Sequence, residues 1–299
     1  MSYGLSIAIA IVLGLLIGIS VTFLFNILPE SWLQDYGYDP KAPDFRLSKR
    51  MKLIPHGLFS AFLCAAAFAT TIYTYNWFTQ THYQLSLGPI HMAIILLTLP
   101  ICCVVIMSDR LNRIIPDQCW IALLFLGIVG IFADIFEGSL WYSNEAAWYA
   151  PIIGRILGAV IGGGSIWLIE FLCETFLGKE GFGQGDIKLL GGCGMLVGAY
   201  GLVVILYVSI FSALIFAIPL FIKKRIRIKK EEEMIRNSDN PVKARRELRE
   251  AKAKIHFADD PDYLAFGPFI SLGAVVFLVI EPWIWSTLIG YYAVLGVYF

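Results

Sequence analysis

The chain is poor in charge: only 15% of its 299 residues are Asp, Glu, Lys or Arg, while 58% are hydrophobic. With a mean hydropathy of +0.71, this composition excludes an ordinary soluble, secreted or disordered chain and leaves an integral membrane protein. The six cysteines contain no C-x-x-C spacing, so neither a structural zinc nor a disulfide framework is expected. Cys102 and Cys103 are adjacent and cannot share a helix face, so they are expected to fill space between helices. No basic residue precedes the first apolar run and no small-residue cleavage site of the usual pattern follows it. That run therefore reads as a retained helix, not a signal peptide.

What the chain has in abundance is apolar runs: Gly4 to Leu28, Ile54 to Phe78, Gly88 to Met107, Cys119 to Phe136, Ala150 to Leu177, Ile187 to Val197, Gly201 to Ile222 and Phe266 to Phe299. A spanning helix takes about 20 apolar residues. The expected fold is all-α and polytopic with about eight transmembrane helices, the sixth short and the last interrupted at Pro282. Residues 1–222 would carry helices one to seven, 223–264 a charged insertion and 265–299 the last helix.

The Lys and Arg residues fall in every second loop, five in Pro29 to Leu53 and thirteen in Lys223 to Leu264. Basic loops stay in the cytoplasm, which places both termini outside. Arg155 is the exception, inside the fifth span, where its stem is expected to snorkel toward the outer interface. The insertion mixes both signs of charge, and Pro241 to Lys254 suits a solvated helix or an extension of the seventh span. Its face is either plain solvated surface or a docking surface for a partner or anionic headgroups.

Acids within or at the edge of a bilayer are costly and mark function. Five qualify: Asp109, Asp134, Glu170, Glu174 and Asp186. The charge count puts Asp109 at the cytoplasmic end of the third span and Asp186 at the cytoplasmic start of the sixth, at equal depth. Two such carboxylates brought together hold one proton between them near neutral pH, as an aspartic protease requires. Asp186 follows Gly181, Gly183 and Gly185, alternate glycines that let an extended peptide come close. Their spacing fits no phosphate-binding fingerprint, and a plain helix cap by Asp186 is the bland alternative. Glu170 and Glu174 share a face and are read as structural. Asp134 lies toward the outer end of the fourth span. The glycines at Gly162 to Gly164, Gly191, Gly192 and Gly194 are read as close-packing positions.

The run GKEGFGQGDIKLL, from Gly178 to Leu190, resembles the GxGD motif of the type IV prepilin peptidases, on Gly183, Gly185 and Asp186. DRLNRIIPDQ is similar to the family's second signature, on Asp109, Ile115, Pro116 and Asp117. FGPFISLGA, beginning at Phe266, Gly267 and Pro268, resembles the start of the family's last helix, and GLLIGISVTFLFNILP more weakly resembles its first.

The resemblance implies that Asp109 and Asp186 are the catalytic pair. Lys188 also matches the pattern, as a neighbour of Asp186, a substrate contact or a plain interface lysine; Asp117 is either a further acid of the motif, with Gly183, Gly185, Pro116, Gly267 and Pro268 a motif or substrate-binding residue, or a cap on the fourth helix. It further implies an aspartic endopeptidase of the cytoplasmic membrane, cutting a basic leader from prepilins or the pseudopilins of type II secretion at the cytoplasmic face. Lipid surrounds it, and no nucleic-acid partner is expected.

Many bacterial members carry two C-x-x-C pairs in a longer first loop, bind zinc and N-methylate the new terminus with S-adenosylmethionine. Here that loop is Pro29 to Leu53 without cysteine, so zinc is not expected and methylation is left open. Glu30, Asp35, Asp39 and Asp44 in it are either attractants for a basic leader or plain solvated surface. A proton- or cation-coupled transporter, a non-catalytic scaffold of a pilus or secretion machine, and a protease with another membrane substrate are the rival readings.

Overall fold

The structure, a computed structural model, describes residues 3–34, 39–41, 45–81, 88–142, 147–178, 183–238, 240–253 and 264–294. Asp35, Asp44, Gly181, Phe182 and residues 254–263 lie outside the described residues, as do the sequence readings that fall on them. The described chain is helical, with no strand: α1 (Tyr3–Ile27), α2 (Leu58–Thr81), α3 (Pro89–Asn112), α4 (Asp117–Phe136), α5 (Ala150–Leu177), α6 (Gln184–Arg236), α7 (Pro241–Ala253) and α8 (Gly267–Val294). Helices satisfy their backbone groups internally, which hydrocarbon demands. Seven helical runs are long and apolar enough to cross a membrane, as befits a polytopic membrane protein.

Lipid tails are as apolar as leucine, so helices here associate through close packing at small residues. On α1, Gly14 and Gly18, one turn apart, press onto Ala65 and Ala61 of α2; a Cβ on Gly14 would come within 2.5 Å of Ala65 Cα. On α5, Gly158 and Gly162 meet Gly194 and Leu190 of α6. Gly192 approaches the Trp120 carbonyl at 3.0 Å, but Gly164 has nothing within 4 Å. Close packing therefore explains most of these glycines and not Gly164.

The helical run α6 is two arms. Gly198 has φ 75° and ψ 178°, a left-handed conformation that glycine adopts without a side-chain clash. A Cβ on Gly162 would touch both Leu190, on the first arm, and Leu202, on the second. Twelve residues of straight helix would separate those two by about 18 Å, so the chain reverses at Gly198. The first arm, residues 184–197, is about 21 Å long, short of a hydrocarbon core of about 30 Å. The sixth and seventh expected spans are thus one hairpin whose tip stops within the bundle, and this explains why eight passes give seven long runs. The second arm then lies along α8, with Gly201 near Phe277, Gly273 near Ile205, and Ser209 bonded to the Phe269 carbonyl at 3.1 Å.

Pro282 does not interrupt the last helix; α8 continues through it because neighbouring helices accommodate the lost donor. Leu189, Leu190, Ile205, Ile270 and Ala274 are completely buried where α6 and α8 meet the bundle. Cys103 faces Cys64 of α2, with the sulfurs 3.5 Å apart, while Cys102 enters the main core, so the adjacent pair fills two different gaps. Beyond the apolar part, α6 continues through the basic run to Arg236, and α7 follows. Pairs at i and i+4 stud these segments, the half-buried Arg227 with Glu231 at 3.8 Å and the exposed Arg246 with Glu250 at 2.9 Å, each worth about 0.3–0.5 kcal/mol.

Candidate active site

Asp109 sits on the last turn of α3. The helix stops because Arg113 turns left-handed, φ 60°, and its N–H bonds back to the Asp109 carbonyl at 3.0 Å. Three residues later Pro116, which has no N–H to lose, precedes α4, whose first residue is Asp117. Asp186 lies in the first turn of α6, its N–H bonded to the Gly183 carbonyl at 3.0 Å. α8 opens with Gly267 and Pro268, a first turn in which proline costs no hydrogen bond.

These four segments converge on Ile115. Its side chain lies 3.3 Å from where a Cβ on Gly185 would stand and 2.8 Å from one on Gly267. The same Gly267 Cβ would stand 2.6 Å from Asp109 Oδ2. Any residue but glycine at position 267 would therefore strike the carboxylate. Asp109 and Asp186 are within electrostatic range of each other, and each is nearly buried, 6% and 5% exposed. Asp109 Oδ2 and Asp186 Oδ1 have no hydrogen-bond partner among the described residues. Buried polar atoms are ordinarily satisfied; two unsatisfied carboxylate oxygens in one place are a site poised for a water or a peptide.

Around this centre the other motif residues take definite places. Lys188 does not bond Asp186. Its Nζ reaches Asp117 Oδ1 at 3.0 Å, the same oxygen accepts the Trp120 indole N–H at 2.9 Å, and Lys188 lies 6.0 Å from the centroid of the Trp120 ring. Asp117 therefore departs from its expected role: Pro116 occupies the cap position and the Asp117 side chain bridges to α6 instead. Gly183 is exposed beside Asp186, its Cβ position 3.7 Å from Oδ2.

The first loop is fastened to the same end of the bundle. Asn112 exchanges two hydrogen bonds with the Lys49 backbone, 2.8 and 3.2 Å, and Asn26 does the same with Met51, 2.9 Å each. Glu30 pairs with Arg50 at 2.6 Å and accepts from Gln34 and the Ser48 N–H. It is a tie within the loop, not plain solvated surface. Asp39 accepts the Lys41 N–H at 2.9 Å.

At the far end of α3 lies a second polar cluster, and here Arg155 corrects its sequence reading. It does not snorkel; it is 8% exposed and points into the bundle. Its Nε donates to Asp134 Oδ2 at 2.7 Å and its Nη1 to the Leu196 and Met195 carbonyls. The short first arm of α6 leaves those carbonyls inside the bundle without a next turn, and Arg155 supplies the donors. His91 bridges Asp134 and Glu137 through its two ring nitrogens at 3.1 and 2.9 Å. Glu281 of α8 accepts from Trp141 at 2.7 Å. Glu170 and Glu174, at the other end of α5, are half-buried and exposed respectively.

Residues 94–218 match the type IV leader peptidase family, a stretch that holds Asp109, Asp117, Asp186 and Lys188 and ends before Gly267. Among its relatives are proteins named prepilin leader peptidase/N-methyltransferase. That of Xanthomonas campestris pv. campestris is 35% identical over 129 residues, 42% of this chain and 40% of the relative. That of Pseudomonas aeruginosa is 32% identical over 120 residues, 40% and 36% of the two chains. That of Neisseria gonorrhoeae is 29% identical over 116 residues, 39% and 36%. The chain thus spans about two fifths of the length of these curated relatives. No solved structure matches it.

The relatives' names raise the question of S-adenosylmethionine. In the described first loop Glu30 is already held by Arg50, Ser48 and Gln34, so it is not free for a ribose hydroxyl, while the exposed Asp39 has only one oxygen engaged, by the Lys41 N–H. Among the described residues no cluster of three His, Cys, Asp or Glu is arranged to hold a metal.

The sequence reading did not single out Trp120, Ile115 as a wedge, or the His91, Glu137 and Glu281 partners of Asp134 and Arg155. Trp120 was detectable, being three residues from Asp117 on the same helical face. His91 and Glu281 come from helices distant in sequence, and no local pattern joins them.

Proposed function

We propose that this protein is a membrane aspartic endopeptidase that removes the basic leader from type IV prepilins or similar pseudopilins at the cytoplasmic face of the cytoplasmic membrane. The observation that carries the proposal is that two buried carboxylates, Asp109 from α3 and Asp186 from α6, lie within electrostatic range of each other, each with an oxygen left unbonded. An aspartic protease works with one proton shared between two such carboxylates. The ionised member takes a proton from water as the water oxygen attacks the scissile carbonyl carbon; the protonated member donates to the carbonyl oxygen. Collapse of the tetrahedral intermediate breaks the C–N bond, and the departing amine takes a proton back.

The place of the pair suits a substrate whose apolar helix already lies in the membrane. The Lys- and Arg-rich loops at this end of the bundle support a cytoplasmic face here and both termini outside. The cut then falls where the substrate helix emerges, leaving that helix whole. The names of the relatives support the substrate class. A transporter reading asks for acids free at the bilayer midplane; Asp134, a buried acid at the opposite end of the bundle, is bound by Arg155 and His91 instead.

The test is reconstitution of the purified protein in liposomes with a leader-bearing prepilin and, separately, an unrelated membrane helix. Cleavage of the prepilin alone, after the leader, supports the proposal. Cleavage of both makes it an intramembrane protease of broader scope, and cleavage of neither overturns it. Mass measurement with S-adenosylmethionine present reads methylation independently.

A further inference from the structure

The two carboxylates come from helices that have no covalent reason to stay in register. Asp109 is on α3 and its separation from Asp186 depends on how the turn from α3 to α4 sits against the start of α6. The structure shows two attachments. Ile115 packs against Gly185, one residue before Asp186. Asp117 bonds Lys188, two residues after it. The Asp117 oxygen that receives Lys188 is also held by the Trp120 indole, and the Lys188 ammonium lies by the ring of the same Trp120. One α4 segment thus grips the lysine from two sides, by charge and by ring face.

From this geometry we infer that Lys188 and Asp117, with Trp120, are positioning residues that set the distance between the two aspartates. This deepens the protease reading and rests on it. The clamp brackets the reacting carboxylates, with Asp117 eight residues beyond Asp109 along the turn and Lys188 two residues beyond Asp186. Lys188 is about one-third exposed and so is Asp117. Such a pair adds little to overall stability, so its removal leaves the protein folded and its effect is read in the rate. A carboxylate displaced by about 1 Å costs about 100-fold in turnover. A lysine that touched substrate would instead be read mainly in KM.

The experiment compares the wild type, Lys188→Met, Asp117→Asn, Trp120→Phe and the exchanged pair Asp117→Lys with Lys188→Asp. Each is purified and reconstituted with prepilin, and kcat and KM are measured separately, with Asp186→Asn as the inactive reference. The clamp predicts that Lys188→Met and Asp117→Asn lower kcat by about 10- to 100-fold, with KM within about twofold of wild type. It also predicts that the exchanged pair recovers most of the loss. Trp120→Phe keeps a ring and loses the N–H, and falls between. Loss in KM without recovery on exchange assigns Lys188 to the substrate and overturns the clamp. An unchanged kcat in Lys188→Met overturns it as well.

A thermal double-mutant cycle on Asp117 and Lys188 is read without substrate. The coupling expected of a partly exposed pair is small but not zero, so a non-additive shift supports the pairing even if the wild type cleaves no prepilin, and strict additivity contradicts it. Failure of the wild type to cleave, or cleavage by Asp186→Asn, counts against the protease reading and is thereby separated from failure of the clamp.

Discussion

Gly267 gives the sharpest quantitative handle on the site. Alanine there would place a Cβ 2.6 Å from Asp109 Oδ2 and 2.8 Å from Ile115 Cδ1, against ordinary contact at 3.4 Å or more. The carboxylate must retreat by about 0.8 Å, or α8 must lift by as much, since Asp109 is enclosed and cannot swing into solvent. A misplacement of about 1 Å at reacting atoms costs about 100-fold in rate, whereas overpacking one methyl costs about 1–3 kcal/mol of stability. Gly267→Ala is therefore expected to fold, to bind substrate and to lose about two orders of magnitude in single-turnover cleavage. Gly164→Ala is the matched control: nothing lies within 4 Å of its Cβ position, and its activity and melting temperature stay at wild type or better. Wild-type turnover in Gly267→Ala would refute the placement of α8 against the carboxylate.

Other parts of the structure give equally direct expectations. Arg155→Met leaves Asp134 with His91 alone and two α6 carbonyls without their Arg155 donor, a loss of about 3–5 kcal/mol, visible as a large drop in melting temperature in detergent. A change under about 1 kcal/mol contradicts the cap on the short arm. Gly158→Ala drives a methyl into the Gly194 carbonyl and is expected to destabilise by about 1–3 kcal/mol; an unchanged melting point places α5 and α6 farther apart.

For Glu30, burial pushes the pKa up, but the Ser48 N–H, the Gln34 and Ser48 side chains and Arg50 more than offset it. Its carboxyl sits below the ordinary 4.5. A depressed carboxylate adds stability above its unfolded pKa of about 4.3 and loses it as pH falls through the folded value. Glu30→Gln is thus less stable than wild type at pH 7, with the difference closing below about pH 4. A gap independent of pH argues against the Arg50 and Ser48 ties.

The helices were legible because hydrocarbon leaves few alternatives: an apolar run of 20 residues has to be helical. The reversal between the sixth and seventh spans was legible too, in the short glycine-bearing turn from Gly198 to Tyr200, but the shallow depth of the tip was not. That depth follows from the length of one arm measured against its neighbours. Asp109 and Asp186 could be paired from depth alone, since charge-bearing loops fix which end of each helix faces the same side. Depth carries no azimuth, however. Lys188 faces Asp117 and not Asp186 because α4 packs on that side of α6, and Arg155 turns inward because a carbonyl-lined gap and Asp134 await it there. Proline at position 282 signalled a break that the packing of α8 overrides.

The most direct measurement of the account's central claim is cleavage of a prepilin by the reconstituted wild type, Asp109→Asn and Asp186→Asn, with folding checked by melting temperature. Asparagine keeps the size and removes the acid. Wild-type cleavage after the leader, with both variants folded and inactive, is the result predicted for a shared aspartate pair. Cleavage at wild-type rate by either folded variant would contradict it.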